Sequence, residues 1–487
     1  MSASITVRNQ DQTTARLVVE EGKLVIQALD NKSDVKTIDL EFIYGIDYHE
    51  DKIDIHTAMI QDTATEKIEA NANQTLTNIR PKDVKWILQT LHYQTDAAPT
   101  TMEASSSLSE FVTQLKAQAT PHHLTFPDTE VIVVLNPTSG AQLAESQWTS
   151  IVKPMLITAG FAESNLSKIA TERDGKTRAL AEALGQRILS TTASGKPTPI
   201  IISMGGDGTL HEVVNGLSDA AADASDSQGH FRLGVIPAGS GNAFALGLNI
   251  ESVQQATLKI IKGLEEKPFY FMDVKFGHSE HDKQWQDHVV YDETRKPVRL
   301  LVVLSWGFHA QIVSKSRYLR YFMGNKRFSL VAMFLLTFLQ QYEGELVLRG
   351  SRTYNKDDGE FDGPPHTMFL EKDDKFTYFI VSKQHSLEKG FKIAPFASSL
   401  SDDMDVVILR EADKDSLTKA SIAAFQGGEH VKLQGVEYFK AKELLLRVQD
   451  KAELCLDGEI HDVPSKGIVH MKVEKSSTEK LAFTIFV

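Results

Sequence analysis

Three short apolar runs in this chain each end in a glycine-bearing turn, and that repetition constrains the fold more than any other feature. Val131–Leu135 runs into Asn136-Pro137-Thr138-Ser139-Gly140. Ile200–Met204 runs into Gly205-Gly206-Asp207-Gly208-Thr209, and Leu233–Ile236 into Pro237-Ala238-Gly239-Ser240-Gly241-Asn242. Runs that are apolar throughout read as strands buried on both faces, the pattern of a parallel sheet covered by helices. Helical stretches such as Thr177–Leu189 lie between them, so residues 129–266 read as an α/β domain. Ligands of open α/β sheets sit at the carboxyl ends of the strands. Glycine lets backbone N–H groups close on an anion, and a following helix N-terminus adds partial positive charge. Together the three turns predict a phosphate cradle. It is not a P-loop, because the only candidate, Gly175-Lys176-Thr177, has alanine at position 170 where the motif needs glycine. Nor is it a dinucleotide fingerprint, which from Gly239 would need glycine at Phe244.

The flanking segments have a different texture. Residues 1–95 read as a small β-rich unit of pleckstrin-homology-like kind. Leu17–Val19 and Leu24–Ala28 flank a Glu20-Glu21-Gly22-Lys23 turn, and Ile53 and Ile55 alternate with Asp54 and His56. Pro81 predicts a closing helix with Val84, Ile87, Leu88 and Leu91 on one face. Residues 96–128, rich in Ala, Thr, Ser and Pro, read as a linker with a short helix at Leu108–Ala117. Residues 267–487 read as a β-sandwich domain. Its segments include Phe269–Phe276, Val298–Ser305, Glu345–Arg349, Phe376–Ser382, Met404–Arg410, Leu444–Val448 and Ala482–Val487, with long hairpin inserts at 277–296 and 351–374.

Composition narrows the function. The net charge of −13, from 65 acids against 52 bases, argues against a general nucleic-acid binder, which needs clustered Lys and Arg. A single cysteine, Cys455, excludes an internal disulfide framework and a cysteine-rich zinc module. A reducing, cytoplasmic compartment fits. The N-terminus carries no secretory pattern, and the longest apolar run, Phe328–Leu339, is too short to span a bilayer. Any membrane contact is expected to be peripheral.

Asp207 is the sharpest residue. A carboxylate in a turn facing phosphate is unfavourable unless it binds a metal or accepts a proton. Phosphoryl transfer needs a group that orients and deprotonates a hydroxyl. Glu212 has a simpler role, since Thr209-Leu210-His211-Glu212 reads as a capping box, and His211 reads as packing or capping.

Gly205–Gly216, with Asn136–Gly140 and Pro237–Ala243, resembles the diacylglycerol kinase catalytic family, which includes sphingosine, ceramide and bacterial lipid kinases. The resemblance covers about 129–487. It implies an ATP- and Mg²⁺-dependent lipid kinase with a cleft between the α/β domain and a β-sandwich lipid domain. By resemblance Asp207 is the general base. Asn136, Ser139, Gly140, Thr171, Gly206, Gly208, Ser240, Gly241 and Asn242 hold the nucleotide. Asp457-Gly458-Glu459 reaches back toward ATP and Mg²⁺, with Glu459 as catalytic residue and metal ligand. Ser305-Trp306-Gly307-Phe308-His309-Ala310 matches a lipid-pocket segment, which makes Phe308, His309, Gln311 and Val313 substrate residues; Asp273 is a further candidate. Lys315, Arg317, Arg320, Lys326 and Arg327 follow with no acid among 315–327. Arg320 and Arg327 match the family's phosphate clamp, for which guanidinium forks are suited. The apolar stretch 328–339 beside them would gate an acyl tunnel or touch a membrane.

This sequence also departs from the family pattern. Ala141-Gln142-Leu143 stands where sphingosine kinases carry a Lys-rich loop, and Asp402-Asp403-Met404 lacks the family's glycine. At the position where an acid holds a sphingoid amine stands Val313. A sphingoid base is the first substrate expected from the family, with ceramide or diacylglycerol close behind because of Val313. NAD kinase, which shares Gly-Gly-Asp-Gly, and a non-catalytic membrane adaptor are the rival readings.

Overall fold

In a computed structural model the three apolar runs stand side by side as parallel strands. The residues described are 3–30, 35–62, 68–69, 84–95, 102–120, 128–172, 175–223, 229–316, 326–370, 375–477 and 481–487. The six-stranded sheet has the order Leu166–Ala170, Val131–Leu135, Ile200–Gly205, Gly229–Pro237, Leu481–Phe486, Glu266–Pro268. The first five strands are parallel and the last is antiparallel. Met204 is level with Leu135 on one side and Ile236 on the other, so all three turns leave the sheet at one edge. Val131–Leu135 and Ile200–Gly205 are buried at every residue, as apolar runs demand.

One strand of this sheet was expected elsewhere. Leu481–Phe486 runs parallel to Gly229–Pro237, although the sequence reading assigned Ala482–Val487 to the β-sandwich. Its alternation of buried Phe483 and Ile485 fits either sheet, and only the long-range packing of Phe483 on Phe231 and Phe269 decides.

Helices Lys176–Ala193 and Asp207–Asp223 pack in close contact because both bear glycine at the crossing. A Cβ at Gly216 would lie 2.2 Å from the Arg178 carbonyl oxygen, and one at Gly185 2.7 Å from Ala220 Cβ. The second of these helices also meets the β-rich domain. That domain is one thirteen-stranded sheet. Tyr342–Thr353 belongs to both halves, pairing with Glu443–Val448 along one stretch and with Lys375–Ser382 and Val436–Ala441 at its ends. A register shift falls between Leu348 and Ser351, around Gly350 at φ +64. The halves enclose Trp306, Phe376, Phe379, Leu346 and Leu444.

The N-terminal eight-stranded sheet corrects two expectations. Val84–Thr95 is a strand paired along its length with Lys52–Asp62, not a helix; Pro81 lies outside the described residues. Val84, Ile87, Leu88 and Leu91 do fall at helical spacing, but Trp86 and Tyr93 are buried while Leu88 is exposed and Ile87 and Leu91 are half-buried, and cross-strand pairing overrides the local period. The helix that packs on this unit is Met102–Ala119, which contains the short helix expected at Leu108–Ala117 and extends it within the stretch read as linker. It buries Leu108, Phe111, Val112, Leu115 and Ala119.

The N-terminal unit is seated on helices Lys153–Ala159 and Val253–Lys262. Gly45 lies against Thr158, where a Cβ would come within 2.4 Å of Cγ2. Nine residues of Val253–Lys262 are buried, Lys259 and Lys262 among them, because this helix is covered on both sides. Lys262 Nζ donates to the carbonyls of Leu40 (2.8 Å) and Ala119 (2.5 Å). Among the described residues no helix is long and apolar enough to cross a membrane.

Candidate active site

The three glycine turns meet backbone to backbone. A Cβ at Gly140 would lie 2.9 Å from the Ala238 oxygen, one at Gly206 2.6 Å from the Gly241 oxygen, and one at Gly239 2.3 Å from Gly206 Cα. Gly140 also sits at φ +56, which glycine tolerates best. Asn136 donates from Nδ2 to Thr209 Oγ1 at 3.1 Å and accepts from Thr138 on Oδ1, tying the first turn to the second. Ser139 is buried beside it. Gly208 faces open space, Ser240 and Gly241 are exposed, and Thr171 is held by the Leu135 carbonyl at the neighbouring strand end. Asn242 was expected to face the nucleotide. Instead both ends of its side chain bond Gly239, at 3.0 and 2.8 Å, so it shapes the third turn.

Asp207 opens the helix Asp207–Asp223. Its carboxylate accepts the backbone N–H groups of Ala243 (2.8 Å) and Phe244 (2.9 Å), the first turn of the following helix. Besides a metal or a proton, a helix N-terminus is a third partner for this carboxylate. Burial pushes its pKa up to about 6, against the pull of those two N–H groups and with the nearby Asp457 charge adding to the rise. Because the helix starts at Asp207, Thr209 and Glu212 lie inside it and form no capping box. Glu212 instead meets Thr177, and burial and the charge of Glu459 hold its carboxyl above the ordinary value.

His211 donates from Nδ1 to Asp457 Oδ2 at 2.9 Å, and both side chains are buried. Burial depresses its pKa, yet the Asp457 bond and charge, with Glu459, hold it above the ordinary histidine value. Asp457 also accepts the N–H groups of Leu301 (2.8 Å), Val302 (3.0 Å) and Val303 (2.7 Å). Its carboxylate is therefore an anchor inside the protein and not a nucleotide ligand, which corrects the expectation for this residue. Glu459, two residues on, is half-exposed.

On the facing domain, Phe308 is buried and His309 bonds Ser305 Oγ at 2.8 Å. Burial lowers the His309 pKa to about 4, so the ring is neutral. The Tyr378 ring lies edge-on to it at 6.1 Å. Gln311 donates to Gln340 at 2.8 Å, and Val313 is half-buried. Asp273 is not brought to this group. Its charged neighbours are Arg299, Lys275, Glu474 and His470, strand residues of the β-rich domain. Arg320 lies outside the described residues, and of Arg327 only its place in the helix Lys326–Leu335 is described.

Sequence reasoning missed Asn215 and Asp219. Asn215 exchanges hydrogen bonds with the Arg299 backbone, 2.9 Å each way. Asp219 binds Arg178 through two bonds of 2.8 and 3.0 Å and reaches Lys296 and Arg299 at 3.2 and 3.4 Å. The signal was present: Asp207, His211, Asn215 and Asp219 are spaced by four.

A cradle of backbone amides around one partly buried carboxylate is the equipment of a phosphotransferase. Residues 130–272 match the model described as "Diacylglycerol kinase catalytic domain", and 302–471 the "YegS C-terminal NAD kinase beta sandwich-like domain". The chain belongs to the diacylglycerol kinase-like lipid kinase family. It is 26% identical over 366 residues to the diacylglycerol kinase of Bacillus subtilis, covering 72% of this chain and 98% of the relative. To human sphingosine kinase 1 it is 30% identical over 232 residues, covering 45% of this chain and 51% of the relative. A Bacillus anthracis crystal structure described as a "putative diacylglycerol kinase" shares the fold at TM-score 0.50 and 16% identity, covering 75% of this chain and 97% of that one.

Proposed function

We propose that the protein transfers the γ-phosphate of ATP to the primary hydroxyl of a long-chain neutral lipid of the diacylglycerol or ceramide type. The observation that carries this is the meeting of three glycine turns around Asp207. As the lipid oxygen attacks the γ-phosphorus, its proton passes to the Asp207 carboxylate and the bond from phosphorus to the ADP oxygen breaks. The turns 136–140, 205–209 and 239–242 hold the nucleotide. Arg320 and Arg327 are read, by resemblance, as neutralising the developing charge. Glu459 is the residue that would hold Mg²⁺ together with the phosphates. Its repulsion with Glu212 is one that a cation relieves, and the ion supplies charge neutralisation on the phosphates.

The choice of a neutral lipid rests on helix Phe308–Ser316. It bears no acid, and His309 is neutral, so nothing on it pairs an ammonium. The match to sphingosine kinase supports a sphingoid base as the second reading. Leu330, Met333, Phe334 and Phe338 are exposed along one apolar stretch, which supports contact with the cytoplasmic surface of a membrane. The strands closed by Met102–Ala119 support the pleckstrin-homology-like reading of the N-terminal unit.

The test is incorporation of labelled phosphate from ATP with diacylglycerol, ceramide, a sphingoid base and NAD as acceptors. Product from diacylglycerol or ceramide is expected. Product from the sphingoid base alone, with kcat/KM more than about 10³-fold above the other lipids, would overturn the substrate choice. Product from NAD alone would overturn the lipid kinase reading.

A further inference from the structure

The helix that begins at Asp207 carries His211, Asn215 and Asp219 at successive intervals of four, which places them on one face. Each grips the β-rich domain by different chemistry. His211 bonds the Asp457 carboxylate. Asn215 forms a two-way amide bond with the backbone of Arg299 and also returns to the His211 carbonyl at 2.9 Å. Asp219 collects Arg299 and Lys296, with Arg178 of its own domain completing the cluster. The element bearing Asp207 is thus fastened along three turns to the domain that bears Glu459.

We propose that this stripe sets the position of the Asp457–Glu459 turn relative to Asp207, and that His211 is the positioning residue of the pair of domains. Asp457 is held by three N–H groups of its own domain and by His211 of the other. It sits at φ +46, followed by Gly458 at φ +92, the two-residue Asp-Gly loop that joins strands Ala452–Leu456 and Glu459–Val463, a loop for which Asp-Gly is the preferred pair. The orientation of the Asp457 side chain therefore passes through a tightly constrained turn to Glu459. Without the donor on His211 the turn keeps its backbone anchors but loses its only described side-chain tie to the helix of Asp207. Asn215 and Asp219 lie one and two turns further along and fasten strand Val298–Leu300, not the turn.

This inference rests on the lipid kinase reading for its kinetic consequence but not for its structural one. Two variants separate hydrogen bonding from packing. His211→Asn places an amide nitrogen where Nδ1 stands, and His211→Leu fills the volume without a donor. In His211→Leu kcat should fall at least about tenfold while KM for ATP moves less than about threefold, and His211→Asn should stay within about threefold of the parent. Hydrogen exchange of the amides of Leu301, Val302 and Val303, which bond Asp457, should accelerate in His211→Leu and not in His211→Asn. Parent-like kcat and exchange in His211→Leu overturn the proposal, as does a His211→Asn variant as impaired as His211→Leu. A parent enzyme that phosphorylates no lipid overturns the kinase reading instead, and the exchange rates then decide the positioning role alone.

Discussion

Asp207 combines two tasks that pull its chemistry in opposite directions. The N–H groups of Ala243 and Phe244 favour its charged form, whereas burial and Asp457 favour the neutral one, and the balance falls at about 6. A base must be ionised to work, so kcat/KM should rise with pH through about 6 and level above it. A profile flat from pH 5 to 8 would remove Asp207 from the proton transfer. Asp207→Asn keeps the shape of the side chain and an acceptor for one of the two N–H groups, so ATP affinity should stay within about tenfold while kcat falls by about 10²–10⁴. Val313 belongs to the same scale. Val313→Asp should improve kcat/KM for a sphingoid base relative to diacylglycerol by about 1–3 kcal/mol, the worth of a charge-assisted bond. An unchanged ratio would place the lipid headgroup away from this helix face.

Among the elements, Val253–Lys262 shows how far context overrides a local pattern. A helix with two buried lysines would be a poor outer helix. It is an inner one because the N-terminal unit covers it. Lys262 has two carbonyl acceptors, matching the two hydrogens of a neutral amine, and burial lowers its pKa from 10.5 to about 7. Between about pH 7 and 10.5 the unfolded chain binds a proton that the folded chain does not. The group therefore destabilises the fold at the low end of that window and less so as pH rises. Measured by urea unfolding, the parent should gain stability relative to Lys262→Met from pH 7 to 10. Parallel curves would mean that the amine remains charged in the fold.

For the whole molecule, the strand Leu481–Phe486 lies inside the sheet of a domain whose first strand is Val131–Leu135. Phe483, Ile485 and Phe486 are fully buried there, and losing one large apolar core side chain destabilises by about 3–5 kcal/mol in proteins stable by only about 5–15 kcal/mol. Deleting residues 481–487 should abolish the cooperative thermal transition and ATP binding together, although the turns proposed to hold ATP lie far away in sequence. A truncated chain that still melts cooperatively and binds ATP would show that the five remaining strands suffice.

What the sequence determined alone was local. An apolar run, a glycine turn and a helical period are each written in a handful of neighbouring residues, so the α/β domain, its three turns and the singular position of Asp207 could be read directly. Close backbone approach at Gly140, Gly206 and Gly239 demanded glycine and so advertised itself. Tertiary structure decided whatever depends on a partner distant in sequence. Val84–Thr95 is a strand because Lys52–Asp62 pairs with it, Met102–Ala119 is a packed helix because a sheet receives its apolar face, and Leu481–Phe486 joins the sheet whose core fits Phe483. The site divides in the same way. Asp207 stood out by its neighbours and Asn242 braces Gly239 within its own turn, while Asp457 became an anchor and His211 a bridge only when segments far apart in the chain were brought within hydrogen-bond reach. A hydrogen bond between two domains names its partner in the sequence of neither.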